Sequence, residues 1–218
     1  MPTIKAVIFD MDGVLIDAKE WHFEAMNQAL ARFGFTITCE EHLAQYDGLP
    51  TKHKLELLSQ TKGFPRELHA PVSTLKQELT MAIVERECCP TFQHVRTLFR
   101  LRRAGYLLGV ASNSVRNSVN RMMDLAALSP YLQFQLSNQD VSRAKPHPEI
   151  YIRAAQLAGV LPHECVVVED NRHGIEAATV AGANVLAVQG PHEVTHERIE
   201  IFIATIDNGA ERAKRFAA

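Results

Sequence analysis

The chain has 218 residues, enough for one buried core and a sizeable insertion. Its 23 Lys and Arg against 25 Asp and Glu give a net charge of −2, and no basic block stands out, which argues against nucleic acid or an anionic membrane as a partner. No signal peptide and no apolar run of about 18 residues is visible, and the four cysteines lack Cys-x-x-Cys spacing. We therefore expect a cytoplasmic monomer with reduced cysteines.

The first predicted element is a short apolar strand, Ala6 to Phe9, that ends at Asp10. Side chains at the carboxyl end of a parallel strand face the crevice in which open α/β sheets bind ligands. A Gly-rich loop there would offer backbone N–H groups to a phosphate, whereas this chain offers the carboxylates of Asp10 and Asp12, followed by a turn at Gly13. The stretch therefore predicts a cation site or covalent chemistry.

The next convincing strand, Tyr106 to Ala111, begins nearly a hundred residues later, whereas a βαβ unit usually joins its strands within about 30 to 40 residues. An insertion explains this gap. Its apolar periodicity predicts helices at Glu20–Phe33, Cys39–Tyr46, Lys52–Thr61 and Val72–Arg86. We therefore predict a helical domain at residues 18–86, inserted into a core formed by residues 1–17 and 87–218.

Helices and strands alternate after the insertion. Further strands are predicted at Gln133–Leu136, Glu164–Val168 and Asn184–Val188. Helices are predicted at Phe92–Ala104, from a cap at Ser112 or Ser114 to about Leu125, from Pro148 to Gly159, at Gly174–Ala181, and once or twice in the tail Pro191–Ala218. This alternation predicts an α/β fold with a doubly wound, Rossmann-like parallel sheet.

Four short polar motifs follow these strands: Asp10-x-Asp12, Ser112-Asn113-Ser114, Lys145-Pro146 and Glu169-Asp170-Asn171. Each has an ordinary explanation by itself, since serine caps helices, a lone lysine is usually solvated and acidic residues favour helix starts. Together, however, they gather carboxylates that would repel by about 4 kcal/mol per close pair at an effective dielectric constant near 20. A cation is therefore required, and hard oxygen ligands suit Mg²⁺.

In order and residue type the motifs resemble the haloacid dehalogenase superfamily, in the branch of phosphatases and β-phosphoglucomutase-like enzymes. The resemblance extends to about Gly190 and rests on Asp-Met-Asp-Gly-Val-Leu, Ala-Ser-Asn-Ser, Lys-Pro-His-Pro-Glu-Ile-Tyr and Val-Glu-Asp-Asn-x-x-Gly-Ile-x-Ala-Ala. It implies that Asp10 is the nucleophile and Asp12 the general acid and base. It further implies a phosphoryl group bound by Ser112 and Asn113 and neutralised by Lys145, beside a Mg²⁺ site of Asp10, Asp12, Glu169 and Asp170.

By the same resemblance the insertion is a cap domain that selects the substrate. The stretch around His22 is similar to one in which mutases relay a proton, although a core histidine is the commoner explanation. Gly48 matches the cap substrate loop, in which Thr51 replaces an arginine of the mutases and Lys52 follows it. Lys76 is a further candidate anion contact, and Arg116 a candidate contact to the phosphate or substrate.

Three functions remain open from the sequence. The first is a Mg²⁺-dependent phosphatase that hydrolyses a small phosphorylated metabolite, such as a sugar phosphate, through an aspartyl-phosphate, which splits one slow displacement into two. The alternative is a phosphomutase of the β-phosphoglucomutase type, and the remote alternative is a phospho-acceptor signalling module. A dehalogenase is disfavoured, because a halide leaves unprotonated and has no use for Asp12.

Overall fold

The computed structural model describes residues 4–216, with side chains described as far as Gly209. The chain divides into two compact units. One contains the residues up to Ile16 and those from Cys89 onward, and the other comprises Asp17–Cys88. The first is an α/β unit and the second is built from helices. The predicted insertion, residues 18–86, falls within the helical unit.

Among its described residues, the α/β unit contains five parallel strands in the spatial order β3-β2-β1-β4-β5. Their bounds are β1 Ala6–Phe9, β2 Leu107–Ala111, β3 Phe134–Leu136, β4 Cys165–Glu169 and β5 Asn184–Ala187. Every residue of β1 and β4 is buried, as expected for central strands covered on both faces. The predicted doubly wound parallel sheet is thus confirmed.

The helical unit contains α1 Lys19–Ala31, α2 Cys39–Glu41, α3 Thr51–Lys62 and α4 His69–Glu87. The predicted helix Cys39–Tyr46 is present in two parts, because α2 continues into a π-helical turn at His42–Tyr46. A capping box begins it, in which the Thr38 hydroxyl accepts from the Glu41 N–H and the Glu41 carboxylate accepts from the Thr38 N–H. The unit has its own apolar core, which includes Met26, Leu30, Leu55, Leu58 and Val72.

The helices of the α/β unit are α5 Phe92–Arg103, α6 Arg116–Leu125, α7 Glu149–Ala158, α8 Arg172–Ala181 and α9 His196–Phe216. Small residues such as Ala154 of α7 and Ala177 of α8 pack with Ile8 of β1 in one core cluster. The predicted cap of α6 by Ser112 or Ser114 is wrong. Its N-cap is Val115, which makes no side-chain capping bond, because both serine hydroxyls are used in the loop before the helix.

The sheet brings the predicted motifs to one edge. Asp10 follows β1, Ser112 follows β2, and Glu169 is the last residue of β4. Since all strands are parallel, their carboxyl ends lie on the same side of the sheet. Among the described residues, no helix combines the length and the hydrophobicity that crossing a bilayer requires.

Candidate active site

A tight turn after β1 presents the first two carboxylates. The Asp10 N–H donates to the Val168 carbonyl of β4, which ties this residue to the sheet. The N–H groups of Leu15 and Ile16 both donate back to the Met11 carbonyl. Gly13 lies at the apex with φ +87°, a left-handed conformation that glycine adopts without steric cost. The turn therefore holds Asp12 close behind Asp10.

A buried ion pair lies at the centre of the site. Lys145, which is 3% exposed, donates from Nζ to Asp10 Oδ1 at 2.5 Å and to Glu169 Oε1 at 2.6 Å. Burial by itself lowers the pKa of Lys145, but the two carboxylates outweigh burial, so the pKa is raised. Lys145 therefore stays protonated and places a positive charge against Asp10.

Glu169 accepts four hydrogen bonds. Its Oε1 accepts from Lys145 and from the Tyr151 hydroxyl, the latter at 2.6 Å. Its Oε2 accepts from the backbone N–H groups of Asp170 and Asn171, at 3.1 and 3.2 Å. An ionised carboxylate has about four lone-pair directions, so these donors occupy the Glu169 oxygens and fix their orientation. Burial, with the nearby charges of Glu169 and Asp10, raises the pKa of Tyr151 well above its ordinary value, which keeps its hydroxyl a donor.

Three carboxylates form a group that could hold a metal ion. One oxygen each of Asp10, Glu169 and Asp170 lies within 4.8 Å of the others. Burial raises the pKa of Asp10 well above its ordinary value, and the attraction of Lys145 opposes this only in part. The negative charges of Glu169, Asp170 and Asp12 raise it further.

The charge of this group fits a divalent cation. Three carboxylates and the single ammonium of Lys145 leave a net charge of −2 when all are ionised, which one divalent ion would balance. Such an ion would also favour the ionised form of Asp10. Carboxylate oxygens are hard ligands of the kind that Mg²⁺ prefers. The donor set therefore suits Mg²⁺.

The serine loop after β2 orients Asp12. Ser114 Oγ donates to Asp12 Oδ2 at 2.6 Å, and the Ser114 N–H donates to the buried Ser112 Oγ at 3.0 Å. From the sequence, Ser114 was only a candidate helix cap. The spacing of Ser112 and Ser114 was the one feature of the sequence that could have indicated a role for Ser114 in the site. Ser114 thus holds one oxygen of the Asp12 carboxylate.

Two residues predicted to bind phosphate have other partners in the structure. The Asn113 side chain makes two hydrogen bonds to the backbone of Lys145. It accepts from the N–H at 3.0 Å and donates to the carbonyl at 3.3 Å. Arg116 is exposed at the start of α6, and its guanidinium donates to Asp140 at 2.8 Å. Asn113 therefore positions Lys145, and Arg116 pairs with Asp140 rather than with the acidic group.

The candidate residues of the helical unit are only partly brought together. His22 Nδ1 lies 3.2 Å from Lys76 Nζ, and Lys76 is buried. Gly48 lies in the turn before α3 with φ +72°, and Lys52 is exposed on the first turn of α3. The structure therefore joins His22 to Lys76 but leaves Lys52 at the surface.

His42 was not singled out from the sequence, yet it is buried in the structure, and so is Lys54. Burial, followed by the positive charge of Lys54, lowers the pKa of His42 to about 4. Asp47, 3.9 Å away, opposes this shift. His42 is therefore a neutral imidazole near neutral pH, and it begins the π-helical turn, a feature often found at functional sites.

The fold and the site together define an α/β protein with carboxylates and a buried lysine at the carboxyl edge of a parallel sheet. The model of the haloacid dehalogenase-like hydrolase family matches residues 7–188. The chain belongs to this family. The predicted family and fold class are therefore confirmed.

Curated relatives match across most of the chain. It is 30% identical over 185 residues to a phosphorylated carbohydrates phosphatase of Thermotoga maritima, covering 82% of each chain. It is 28% identical over 189 residues to hexitol phosphatase B of Escherichia coli strain K12, covering 86% of this chain and 85% of that protein. The predicted enzyme class, a haloacid dehalogenase-like phosphatase, is thereby confirmed.

Solved structures show the same fold. A β-phosphoglucomutase from Clostridium difficile superposes with a TM-score of 0.81 at 21% identity, covering 93% of this chain and 98% of that one. At this level of identity the likeness concerns the fold alone.

Proposed function

We propose that the protein is a Mg²⁺-dependent phosphatase that hydrolyses a small phosphorylated metabolite, such as a sugar phosphate, through an aspartyl-phosphate on Asp10. The observation that carries this proposal is the buried pair of Asp10 and Lys145, 2.5 Å apart, beside the carboxylates of Glu169 and Asp170. Relatives that act on phosphorylated carbohydrates and hexitol phosphates support the substrate class. We expect it to act as a cytoplasmic monomer.

Asp10 attacks phosphorus with its carboxylate, and the bond to the leaving oxygen breaks. Lys145 has three N–H donors, of which two bind Asp10 and Glu169. The third is directed to an oxygen of the transferring phosphoryl group in our proposal. The Ser112 hydroxyl and the backbone of Asn113 bind the remaining phosphoryl oxygens. Water then attacks the aspartyl-phosphate and restores Asp10.

Asp12 transfers the protons of both steps. As general acid it protonates the leaving oxygen, and as general base it accepts a proton from the attacking water. The hydrogen bond from Ser114, at 2.6 Å, supports this role because it fixes the orientation of the Asp12 carboxyl group, and the serine hydroxyl that donates it carries no charge.

Asp10, Asp12, Glu169 and Asp170 would hold Mg²⁺ in this proposal. Four hydrogen bonds fix the orientation of the Glu169 carboxylate. When bound, the metal offsets negative charge on the phosphoryl oxygens. Lys145, held in place by Glu169, opposes the rise in the pKa of Asp10.

Residues 18–86 serve as the cap domain that selects the substrate, and residues 1–17 and 87–218 as the catalytic core. His22, Gly48, Lys52 and Lys76 of the helical unit are our candidates for contacts to the substrate, and Arg116 of the α/β unit is a separate candidate. The contact of His22 with buried Lys76 supports an anion or hydroxyl site in this unit.

The first experiment is hydrolysis of p-nitrophenyl phosphate with Mg²⁺ by wild type, Asp10→Asn and Asp124→Asn. Asp124 is an exposed carboxylate of the same unit, hydrogen-bonded to Ser129. We expect Asp10→Asn to lose activity and Asp124→Asn to keep it. Turnover at the wild-type rate by a folded Asp10→Asn variant ends the proposal. A panel of phosphorylated metabolites then identifies the substrate.

A hexose phosphate mutase is the second candidate, favoured by the contact of His22 with Lys76, since His22 lies in the mutase-like stretch. Incubation with β-glucose 1-phosphate and a bisphosphate activator separates the two. Release of free phosphate without glucose 6-phosphate dismisses the mutase. The signalling module is set aside, because the chain matches a hydrolase family over residues 7–188.

A further inference from the structure

Tyr151 makes two separate contacts with the lysine and glutamate of the site. It lies in the first turn of α7 and is 1% exposed. Its hydroxyl donates to Glu169 Oε1 at 2.6 Å, and its ring centroid lies 4.8 Å from Lys145 Nζ, within the range of a cation–π contact. Tyr151 had no role assigned from the sequence, although it belongs to the motif that begins at Lys145.

We propose that Tyr151 is a positioning residue of the reaction, whose hydroxyl fixes Glu169 Oε1 and thereby holds the Lys145 ammonium against Asp10. This inference rests on the proposed phosphatase function. It gives Glu169 the additional role of holding the lysine, and it gives the tyrosine hydroxyl an effect on the reaction that packing of its ring does not have.

The two oxygens of Glu169 are held by different means. Oε2 accepts from the backbone N–H groups of Asp170 and Asn171, so the backbone after β4 sets its position. Oε1 has two donors, Lys145 and Tyr151. Lysine is a flexible side chain with three rotatable donors, whereas Tyr151 is held by the core. The tyrosine hydroxyl is therefore the rigid donor that sets the position of Oε1.

Packing does not require this hydroxyl. The ring of Tyr151 lies in an apolar cluster with Ile150, Ala154, Ala177 and Ala178, where a phenylalanine ring would fit equally. A buried hydroxyl without a partner would be unfavourable, but here it has the charged acceptor Glu169. Hydrogen bonds to charged groups are among the stronger ones in proteins. The substitution Tyr151→Phe therefore separates the effect of the hydroxyl from that of the ring.

The test is Tyr151→Phe, with Tyr106→Phe as a matched control. Tyr106 is a partly buried tyrosine just before β2, at the amino end of the strand, away from the site. For Tyr151→Phe we expect kcat to fall about tenfold, or ~1.4 kcal/mol in the barrier, with KM changed less than twofold. Because Lys145 acts on the transferring group, the inhibition constant of orthovanadate rises about tenfold, and that of inorganic phosphate less than twofold.

Two outcomes overturn the inference. One is an unchanged kcat in Tyr151→Phe. The other is a fall in kcat accompanied by equally large changes in KM and in the inhibition constant of phosphate, together with a lower melting temperature. That pattern indicates a structural role only. Tyr106→Phe keeps wild-type values under the inference.

A double-mutant cycle with Lys145→Ala shows whether Tyr151 acts through the lysine. Vanadate inhibition is measured in wild type, both single variants and the double variant, with Mg²⁺ present. Coupled residues are strongly non-additive, so adding Tyr151→Phe to Lys145→Ala should change vanadate inhibition less than twofold. A further tenfold loss overturns the inference. An active Asp10→Asn variant instead overturns the proposed function, so the two failures are distinguishable.

Discussion

Gly174 leaves the space that the Glu169 carboxylate occupies. A Cβ atom built on Gly174, in the first turn of α8, would overlap the carboxylate group of Glu169. The glycine thus lets this helix approach the end of β4 closely. The orientation of Glu169, and through it the buried Lys145, depends on the absence of a single methyl group.

Gly174→Ala is therefore expected to destabilise the protein by about 1–3 kcal/mol, the range found for overpacked cores, and to lower kcat because Glu169 is displaced. Denaturant unfolding and steady-state kinetics measure both effects. Gly209→Ala is the matched control, since its Cβ meets no atom within 4 Å and alanine is the better helix former. A Gly174→Ala variant as stable and active as wild type would contradict the role given to this contact.

Ser114→Ala removes the hydroxyl that binds Asp12 at 2.6 Å. If Asp12 protonates the leaving oxygen, a poor leaving group needs its orientation most. We expect about a tenfold loss of kcat on an alkyl phosphate and a much smaller loss on p-nitrophenyl phosphate, whose leaving group needs little protonation. Equal losses on both substrates would show that Ser114 does not act through the general acid.

Mg²⁺ should stabilise the folded protein, because it binds a preformed group of carboxylates. A ligand at one hundred times its dissociation constant adds about 2.7 kcal/mol to the free energy of unfolding. Asp170→Asn removes one of the charges that raise the pKa of Asp10. We expect this variant to melt at a higher temperature than wild type in EDTA and to lose the Mg²⁺-dependent increase. An undiminished increase would exclude Asp170 as a ligand.

The lowered pKa of His42 predicts that the free energy of unfolding depends on pH. Its pKa in the folded protein is about 4, lowered by burial from an ordinary value of 6.5, so between these values the unfolded chain binds the additional proton. The stabilisation is complete above about pH 6.5 and is lost as the pH falls through 4, by about 3 kcal/mol in total. His42→Leu should flatten urea-unfolding free energies across this window. His53→Leu, at an exposed histidine of α3, should leave the slope unchanged, and an unchanged slope in His42→Leu would contradict this prediction.

The fold could be predicted largely from local patterns. The runs at Ala6–Phe9 and Cys165–Glu169 are short, β-branched and buried, and each is followed by polar residues at the sheet edge. The parallel arrangement of the strands followed from their alternation with helices. The π-helical turn at His42–Tyr46 was not predictable, because its sequence has the same apolar spacing as an ordinary helix.

The charged residues of the site were easier to predict from the sequence than the residues that position them. Asp10 and Lys145 stand out because charged residues at strand ends need partners. Tyr151 and Gly174 were missed, because their importance lies in a hydroxyl donor and an absent side chain that act on Glu169. Such contacts arise only when α7 and α8 pack against the sheet, and no spacing along the chain encodes them.

The central claim is that Asp10 carries the phosphoryl group between substrate and water. Rapid acid quench during turnover of p-nitrophenyl phosphate with Mg²⁺, followed by mass spectrometry of the peptide containing Asp10, tests it most directly. We predict a phosphoryl group on Asp10 within the first turnover, absent from Asp10→Asn. A phosphoryl group on another residue, or an unmodified Asp10 at every quench time while product forms, would contradict the claim.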